Sequence, residues 1–178
     1  MELKANLMSS EDMGRALKRI SHQIIENNHG AENIVFLGVK TRGVPLARIL
    51  AKNIKAIEGV DVPVGELDIT MYRDDLTGAH IDAVVAGSDI PFSVQGKDVI
   101  LVDDVLYTGR TARAALEAAL RYGRAATIQL AVLIDRGHSE LPIRADYVGK
   151  NVPTSRSEKV AVHVTEIDGE EGVKLFSN

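Results

Sequence analysis

Apolar residues recur along this chain with two alternating periods. Between residues 10 and 28 they fall at Met13, Leu17, Ile20, Ile24 and Ile25, one stripe of an amphipathic helix. Ser9 or Ser10 stands where an N-cap is needed, with Glu11 and Asp12 in the first turn, where the helix dipole favours them. Asn27, Asn28 and Gly30 supply the stop. Ile34–Val39 is then continuously apolar, as a buried strand is, and runs into a polar Lys-Thr-Arg-Gly turn. A helix follows over about 44–56, with Pro45 tolerated in its first turn. Further strands are predicted over 62–72, 98–103 and 127–134, with a helix over 109–122 between the last two. Short β segments near Tyr147 and over 160–164 precede an acidic tail of Glu166, Asp168, Glu170 and Glu171. Strands interleaved with helices predict parallel pairing and a sheet covered on both faces.

Residues 73–96 break this rhythm. They are polar and carry glycine, with only a weak β patch at 81–86. Connections of this length in compact domains are often lids or binding loops. No linker, repeat or low-complexity tract interrupts the rest, so a single domain over 1–178 is expected.

Composition narrows the class. The 178 residues are 45% hydrophobic and 26% charged, ordinary for a globular protein, and aromatics supply only 4%. The lack of cysteine excludes disulfides and thiolate metal sites and fits a reducing compartment. No apolar run approaches the roughly 20 residues of a membrane span, and MELKANLMSSED lacks the apolar stretch of a signal peptide. A cytoplasmic protein without a membrane partner is expected. The net charge of −4 argues against wholesale nucleic-acid binding and leaves room for a local basic face.

The chemistry concentrates in VILVDDVLYTGRT, residues 99–111. An apolar strand ends on two carboxylates, Asp103 and Asp104, where open α/β sheets bind ligands. Thr108, Gly109, Arg110 and Thr111 then open a helix, whose exposed N–H groups favour an anion. Carboxylates beside an anion cradle make sense if the ligand carries a diol or a metal: they accept hydrogen bonds from ribose hydroxyls and favour Mg²⁺ bound to a pyrophosphate. A P-loop nucleotidase would also need GxxxxGK[ST], and a dinucleotide site GxGxxG after a strand; the chain has neither. Asp-Asp alone could equally cap a helix and solvate a strand end.

Residues 99–111 resemble the PRPP-binding signature of type I phosphoribosyltransferases. VGELDITMYRDDL (64–76), GVKTRG (38–43) and DRGHSELPIRADYVGKNVPTSRSE (135–158) are similar to the bacterial pyrimidine operon attenuator proteins (PyrR), which also have uracil phosphoribosyltransferase activity. The resemblance runs from about Gly14 to Val160. It implies an α/β fold of the type I phosphoribosyltransferase kind: a mostly parallel central sheet flanked by helices, a small hood and a flexible lid loop over about 73–96. The reaction implied is uracil plus PRPP giving UMP and pyrophosphate, with Mg²⁺ carried by PRPP and no direct protein ligand to the metal. Hypoxanthine-type enzymes have an acidic residue just before Thr-Gly; here that position is Tyr107, and a phenol is a poor carboxylate substitute near neutral pH.

By the same resemblance, Asp103 and Asp104 hold the ribose hydroxyls, and Leu106, Tyr107, Thr108, Gly109, Arg110 and Thr111 cradle the 5′-phosphate. Leu101, Val102 and Val105 complete the nucleotide-binding stretch. Thr41 and Arg42 would bind pyrophosphate, in a turn that in this superfamily often holds a strained peptide aiming N–H groups at the anion. Tyr72 and Arg73 begin the lid. Arg136, grouped with the two aspartates as catalytic, and Val160 match positions that contact the nucleobase or nucleotide.

The attenuator family also binds a hairpin in pyrimidine-operon leader mRNA, promoted by UMP or UTP. Arg15, Lys18, Arg19 and His22 fall at i, i+3, i+4 and i+7 of one helix face. Residues 136–159 add Arg136, Arg144, Lys150, Arg156 and Lys159 against three acids. Such patches suit RNA phosphates and splayed loop bases. The RNA-binding candidates are Lys18, Arg19, His22, His138, Arg144 and Lys150. Lys18 stands where relatives often have Thr, and Asn27 and Ser139 stand where they are often basic. A homodimer, and beyond it a hexamer, is implied, with no DNA partner. The alternatives are a pyrimidine-salvage enzyme without RNA binding and a regulator with little turnover.

Overall fold

The strands over 34–39, 98–106 and 127–135 are apolar on both faces, so each face of their sheet has to be covered by another layer. The structure, a computed structural model, describes residues 1–73 and 87–178. Its elements run β1 (Glu2–Met8), α1 (Ser10–Asn27), β2 (Ile34–Val39), α2 (Gly43–Glu58), β3 (Val64–Leu67), a 3-10 turn (Thr70–Tyr72), β4 (Asp98–Leu106), α3 (Arg110–Leu120), β5 (Thr127–Asp135), β6 (Tyr147–Asn151), β7 (Glu158–His163), α4 (Thr165–Asp168) and β8 (Gly172–Ser177). Five parallel strands pair in the order β3-β2-β4-β5-β6. The predicted β patch at 81–86 and the middle of the candidate lid lie outside the described residues.

The period-2 rule sorts the core into two clusters. Ile34, Phe36, Ile100, Val102, Ala131 and Leu133 face α1 and α2, together with Met13, Leu17, Ile20 and Ile24 of the predicted stripe. Val35, Leu37, Val99, Leu101, Leu130 and Val132 face α3, whose buried surface is Ala112, Ala114, Ala115, Ala118 and Ala119. A helix with so short a buried face can approach its sheet closely.

The hood is an antiparallel sheet, β1-β8-β7, that joins the two ends of the described chain. Val160, Val162, Val173 and Leu175 extend the α1–α2 core cluster into it. Neither β1 nor β8 is predicted from local pattern. Glu2 pairs with Ser177 and Met8 with Val173, with irregular register between, and a pairing that distant leaves no short-range signature.

Three boundaries can be traced in the structure, the first as expected and the other two shifted. Ser9, not Ser10, caps α1, through a reciprocal box in which Ser9 and Asp12 each accept the other's backbone N–H. The strand expected over 62–72 stops at Leu67, because the Asp68 carboxylate accepts the Thr70 N–H at 2.9 Å and the Thr70 hydroxyl at 2.7 Å. That local turn competes with the ladder. β4 continues past the expected end at Asp103 to Leu106, so Asp104 too lies within the strand.

Candidate active site

Three segments converge at the carboxyl ends of β2 and β4. The Lys40–Thr41–Arg42 turn follows β2, and the Lys40–Thr41 peptide is cis. Glycine makes its position possible: a Cβ on Gly43 would lie 2.2 Å from the Val102 carbonyl oxygen, and one on Gly38 would lie 2.5 Å from the Val44 Cα. Only a chain without side chains at both points can fold this turn against β4 and the start of α2.

The loop around Thr108 and Gly109 follows β4. Gly109 caps α3 at φ 92°, a left-handed conformation that favours glycine. The Thr108 hydroxyl accepts the Arg110 N–H at 3.3 Å. The Leu106 and Thr108 carbonyls accept N–H bonds from Arg136 and Glu140 at 3.0 and 2.9 Å, which docks the loop on the β5–β6 connection. Arg110 adds an ion pair to Glu140 at 3.0 Å.

Two adjoining cavities result. One, of about 240 Å³, is lined by Tyr107, Thr108, Gly109, Arg110 and other loop residues. The other, of about 470 Å³, is lined by Lys40, Thr41, Arg42, Asp68, Thr70 and Asp104. Arg73, Asp103, Val105 and Thr111 belong to both walls. The glycine-bearing loop and the basic turn therefore stand at opposite ends of one cleft, with Asp103 at their junction and Asp104 beside it on the side of the basic turn.

The electrostatics of that junction are unusual. Burial, and next the charge of Asp104, push the Asp103 carboxyl well above the usual carboxylate range. The Asp104 N–H donates to Asp103 and the Val105 N–H to Asp104, each at 2.8 Å, fixing both side chains against their own strand. At the basic end, the hydrogen bond to Asp168 raises the Arg42 guanidinium further, with Asp104 adding to it. No group of three or more His, Asp or Glu side chains among the described residues is arranged to hold a metal ion.

Residues 5–168 match the phosphoribosyl transferase domain family. A protein of Clostridioides difficile (strain 630) named bifunctional protein PyrR is 59% identical over 172 residues, 97% of each chain. Proteins of the same name from Pelotomaculum thermopropionicum and Thermus thermophilus are 62% and 58% identical, covering 97% and 99% of this chain and 96% and 97% of their own. This chain belongs to the PyrR family of phosphoribosyl transferases. Among solved structures, a hypoxanthine-guanine phosphoribosyltransferase from Bacillus anthracis superposes with TM-score 0.73 at 20% identity, each chain covered in full. A hypoxanthine phosphoribosyltransferase from Trypanosoma cruzi gives 0.76 at 19%, over 98% of this chain and 95% of its own. These likenesses show the shared fold.

Not every candidate lines the cleft of this PyrR-family chain. Leu101 and Val102 are core residues of β4, and Val160 is buried in the hood opposite Leu175. Arg136 is 7% exposed, and its guanidinium is held by the Thr154 hydroxyl and the Ser155 and Glu158 carbonyls at 2.7–3.1 Å. It lies 4.0 Å from the Tyr107 ring centroid, and His138 meets the same ring edge-on at 5.4 Å. Tyr72 is anchored to α3: Arg113 donates to its carbonyl at 2.7 Å, and Arg121 stands 6.0 Å from its ring centroid. Arg73, next in the chain, is thereby set between the two cavities.

The basic candidates divide. Arg19 donates to the Val148 and Gly149 carbonyls and Lys150 to the Leu7 carbonyl, so α1, β6 and the end of β1 form one groove with Arg15. Lys18 and His22 are exposed on the same helix. His138 bonds the Thr154 carbonyl beside the cleft, and Arg144 is exposed on the β5–β6 connection. Asn27 is engaged in a polar cluster, donating to the Tyr147 hydroxyl at 2.8 Å. Sequence reasoning missed Lys40, Asp68 and Thr70 as lining residues. The Asp-Ile-Thr pattern, which suits a side-chain-to-backbone turn, was the available signal for the last two.

Proposed function

We propose that this protein regulates pyrimidine biosynthesis through two activities: UMP- or UTP-responsive binding of pyrimidine-operon leader mRNA, and transfer of ribose 5-phosphate from PRPP to uracil. The single cleft carries the catalytic half, with its phosphate loop, carboxylate pair and basic turn in the order that 5-phosphate, ribose and pyrophosphate occupy in PRPP. The name bifunctional protein PyrR, borne by relatives 57–62% identical over nearly the whole chain, supports the pairing of activities.

In the reaction, the C1′–oxygen bond to pyrophosphate breaks, its electron pair leaving with the pyrophosphate, as the uracil N1–C1′ bond forms and the N1 proton is released to solvent water. Positioning and stabilisation of the leaving anion account for most of such catalysis. Thr108, Gly109, Arg110 and Thr111 hold the 5-phosphate at the start of α3. Asp103 and Asp104 accept the ribose hydroxyls, whose donors relieve the crowding of two acidic groups. Thr41 and Arg42 receive the pyrophosphate. Mg²⁺ enters on PRPP as part of the substrate, where it offsets pyrophosphate charge beside the carboxylates. Arg136 positions the Tyr107 ring. The Lys18, Arg19, His22 and Lys150 surface meets RNA phosphates, and His138 and Arg144 extend contact along the β5–β6 connection. Both ligands belong to the cytoplasm, where the protein works as a homo-oligomer.

Two assays test the reading. Uracil- and PRPP-dependent UMP formation is expected from the wild type and strongly reduced in Asp104→Asn and Thr108→Ala; near-unchanged turnover in both variants rejects the active-site assignment. Gel shift of the leader hairpin is expected to be salt-sensitive and enhanced by UMP. Binding without either property leaves the salvage enzyme as the better description.

A further inference from the structure

The basic turn is braced by a residue far from it in sequence. Arg42 forms a two-point ion pair with Asp168: Nη2 donates to Oδ1 at 2.7 Å and Nε to Oδ2 at 3.2 Å. Asp168 Oδ2 also accepts the Val164 N–H at 2.8 Å, so the carboxylate is fixed before it meets the arginine. The Asp168 side chain is 17% exposed and that of Arg42 35%, which shields the pair without burying it. Asp168 ends α4, in the hood between β7 and β8, whereas Arg42 lines the pyrophosphate end of the cleft.

A guanidinium has five N–H donors on two usable edges. Asp168 occupies the Nε–Nη2 edge, and among the described residues no hydrogen bond goes to Nη1. A long side chain held by one edge loses little further freedom when its other end meets an anion, and such preorganisation raises affinity.

We propose that Asp168 is a positioning residue for the transferase reaction: it holds the Arg42 guanidinium so that its Nη1 end receives the pyrophosphate of PRPP. The inference rests on the functional reading above. It differs from simple docking of the hood, because α4 has a second attachment nearby. Glu166 bonds Arg48, which also reaches Glu66 at 3.3 Å, and neither acid touches Arg42.

The test compares Asp168→Asn, Asp168→Glu, Glu166→Gln, Arg42→Gln and the Arg42→Gln/Asp168→Asn pair, with melting temperatures recorded for all. Asp168→Asn is expected to raise KM for PRPP about tenfold, equivalent to ~1.4 kcal/mol, with KM for uracil unchanged. Asp168→Glu recovers part of the loss, and Glu166→Gln leaves KM for PRPP at the wild-type value. On the Arg42→Gln background, Asp168→Asn adds nothing, as expected of residues that act as a unit. A KM for PRPP that is unchanged or lowered in Asp168→Asn, or a full additional loss on the Arg42→Gln background, overturns the proposal. Should Asp168→Asn fail to fold, Asp168→Glu decides: a raised KM for PRPP with kcat retained supports it, and a wild-type KM overturns it. Calorimetric titration of Mg-PRPP into the same proteins separates the two levels. A wild type that binds PRPP and makes no UMP refutes the transferase reading, while the Asp168 effect on PRPP affinity still stands or falls by itself.

Discussion

The Arg136 guanidinium lies 4.0 Å from the centroid of the Tyr107 ring, with its N–H groups held by Thr154, Ser155 and Glu158. One buried cation thus ties the Tyr107 loop to the segment that leads into the hood. Stacking on the ring face supplies attraction of about 1–2 kcal/mol when water is excluded, and the hydrogen bonds fix where that face stands.

Arg136→Lys is expected to weaken both stability and nucleotide binding. An ammonium cannot reproduce the planar contact or the three-way hydrogen bonding, and the carbonyls left behind are costly to bury. A loss of about 2 kcal/mol corresponds to a fall in Tm of roughly 4–8 °C for a chain of this size. Thermal melts with and without UMP check it; an unchanged Tm removes the bracing role.

Gly43→Ala is expected to damage the cleft from outside the ligand contacts. The new methyl would sit 2.2 Å from the Val102 carbonyl oxygen, so either the turn or β4 has to shift. Overpacking of this kind costs about 1–3 kcal/mol. PRPP affinity should fall with Tm, measured by calorimetry and melting on the same sample. Wild-type PRPP binding would show that the turn's placement is irrelevant to the ligand.

Asp103→Asn is expected to abolish most turnover while stabilising the fold. Because its pKa is raised in the folded chain, Asp103 contributes stability that is full below the unfolded value of 3.8 and lost as pH rises through the folded value. At neutral pH the carboxylate therefore opposes folding, and the amide removes that opposition. A Tm above that of the wild type is expected near pH 8, with the difference shrinking toward pH 4. A constant difference across pH would contradict the sign.

For RNA, Lys18→Ala and Arg19→Ala should separate. Lys18 is exposed and makes no ion pair among the described residues, so its loss should lower the salt dependence of hairpin binding by about 0.7–0.9 in the log–log slope without altering Tm. Arg19 also holds the Val148 and Gly149 carbonyls, so its loss should reduce Tm as well as affinity. Equal melting curves for the two variants would leave Arg19 without a bracing role.

The alternating periods of apolar residues determined the parallel sheet and its helices, because burial on two faces imposes a pattern that each segment carries by itself. Residues 99–111 likewise carried a candidate site for an anion and a diol, since a strand end, two acids and a glycine-threonine helix start are local features. What no segment carried was long-range pairing. The hood depends on β1 meeting β8, and the strand over 62–72 gave way where the Asp68 side chain captured Thr70. Asp168 read as one residue of an acidic tail, and Arg136 as a cation at a position that contacts the nucleobase or nucleotide. Only the folded chain set the first on Arg42 and turned the second onto Tyr107. Sequence determines which charges exist; their partners come from distances that close when remote strands pack, and those distances decide what each charge does.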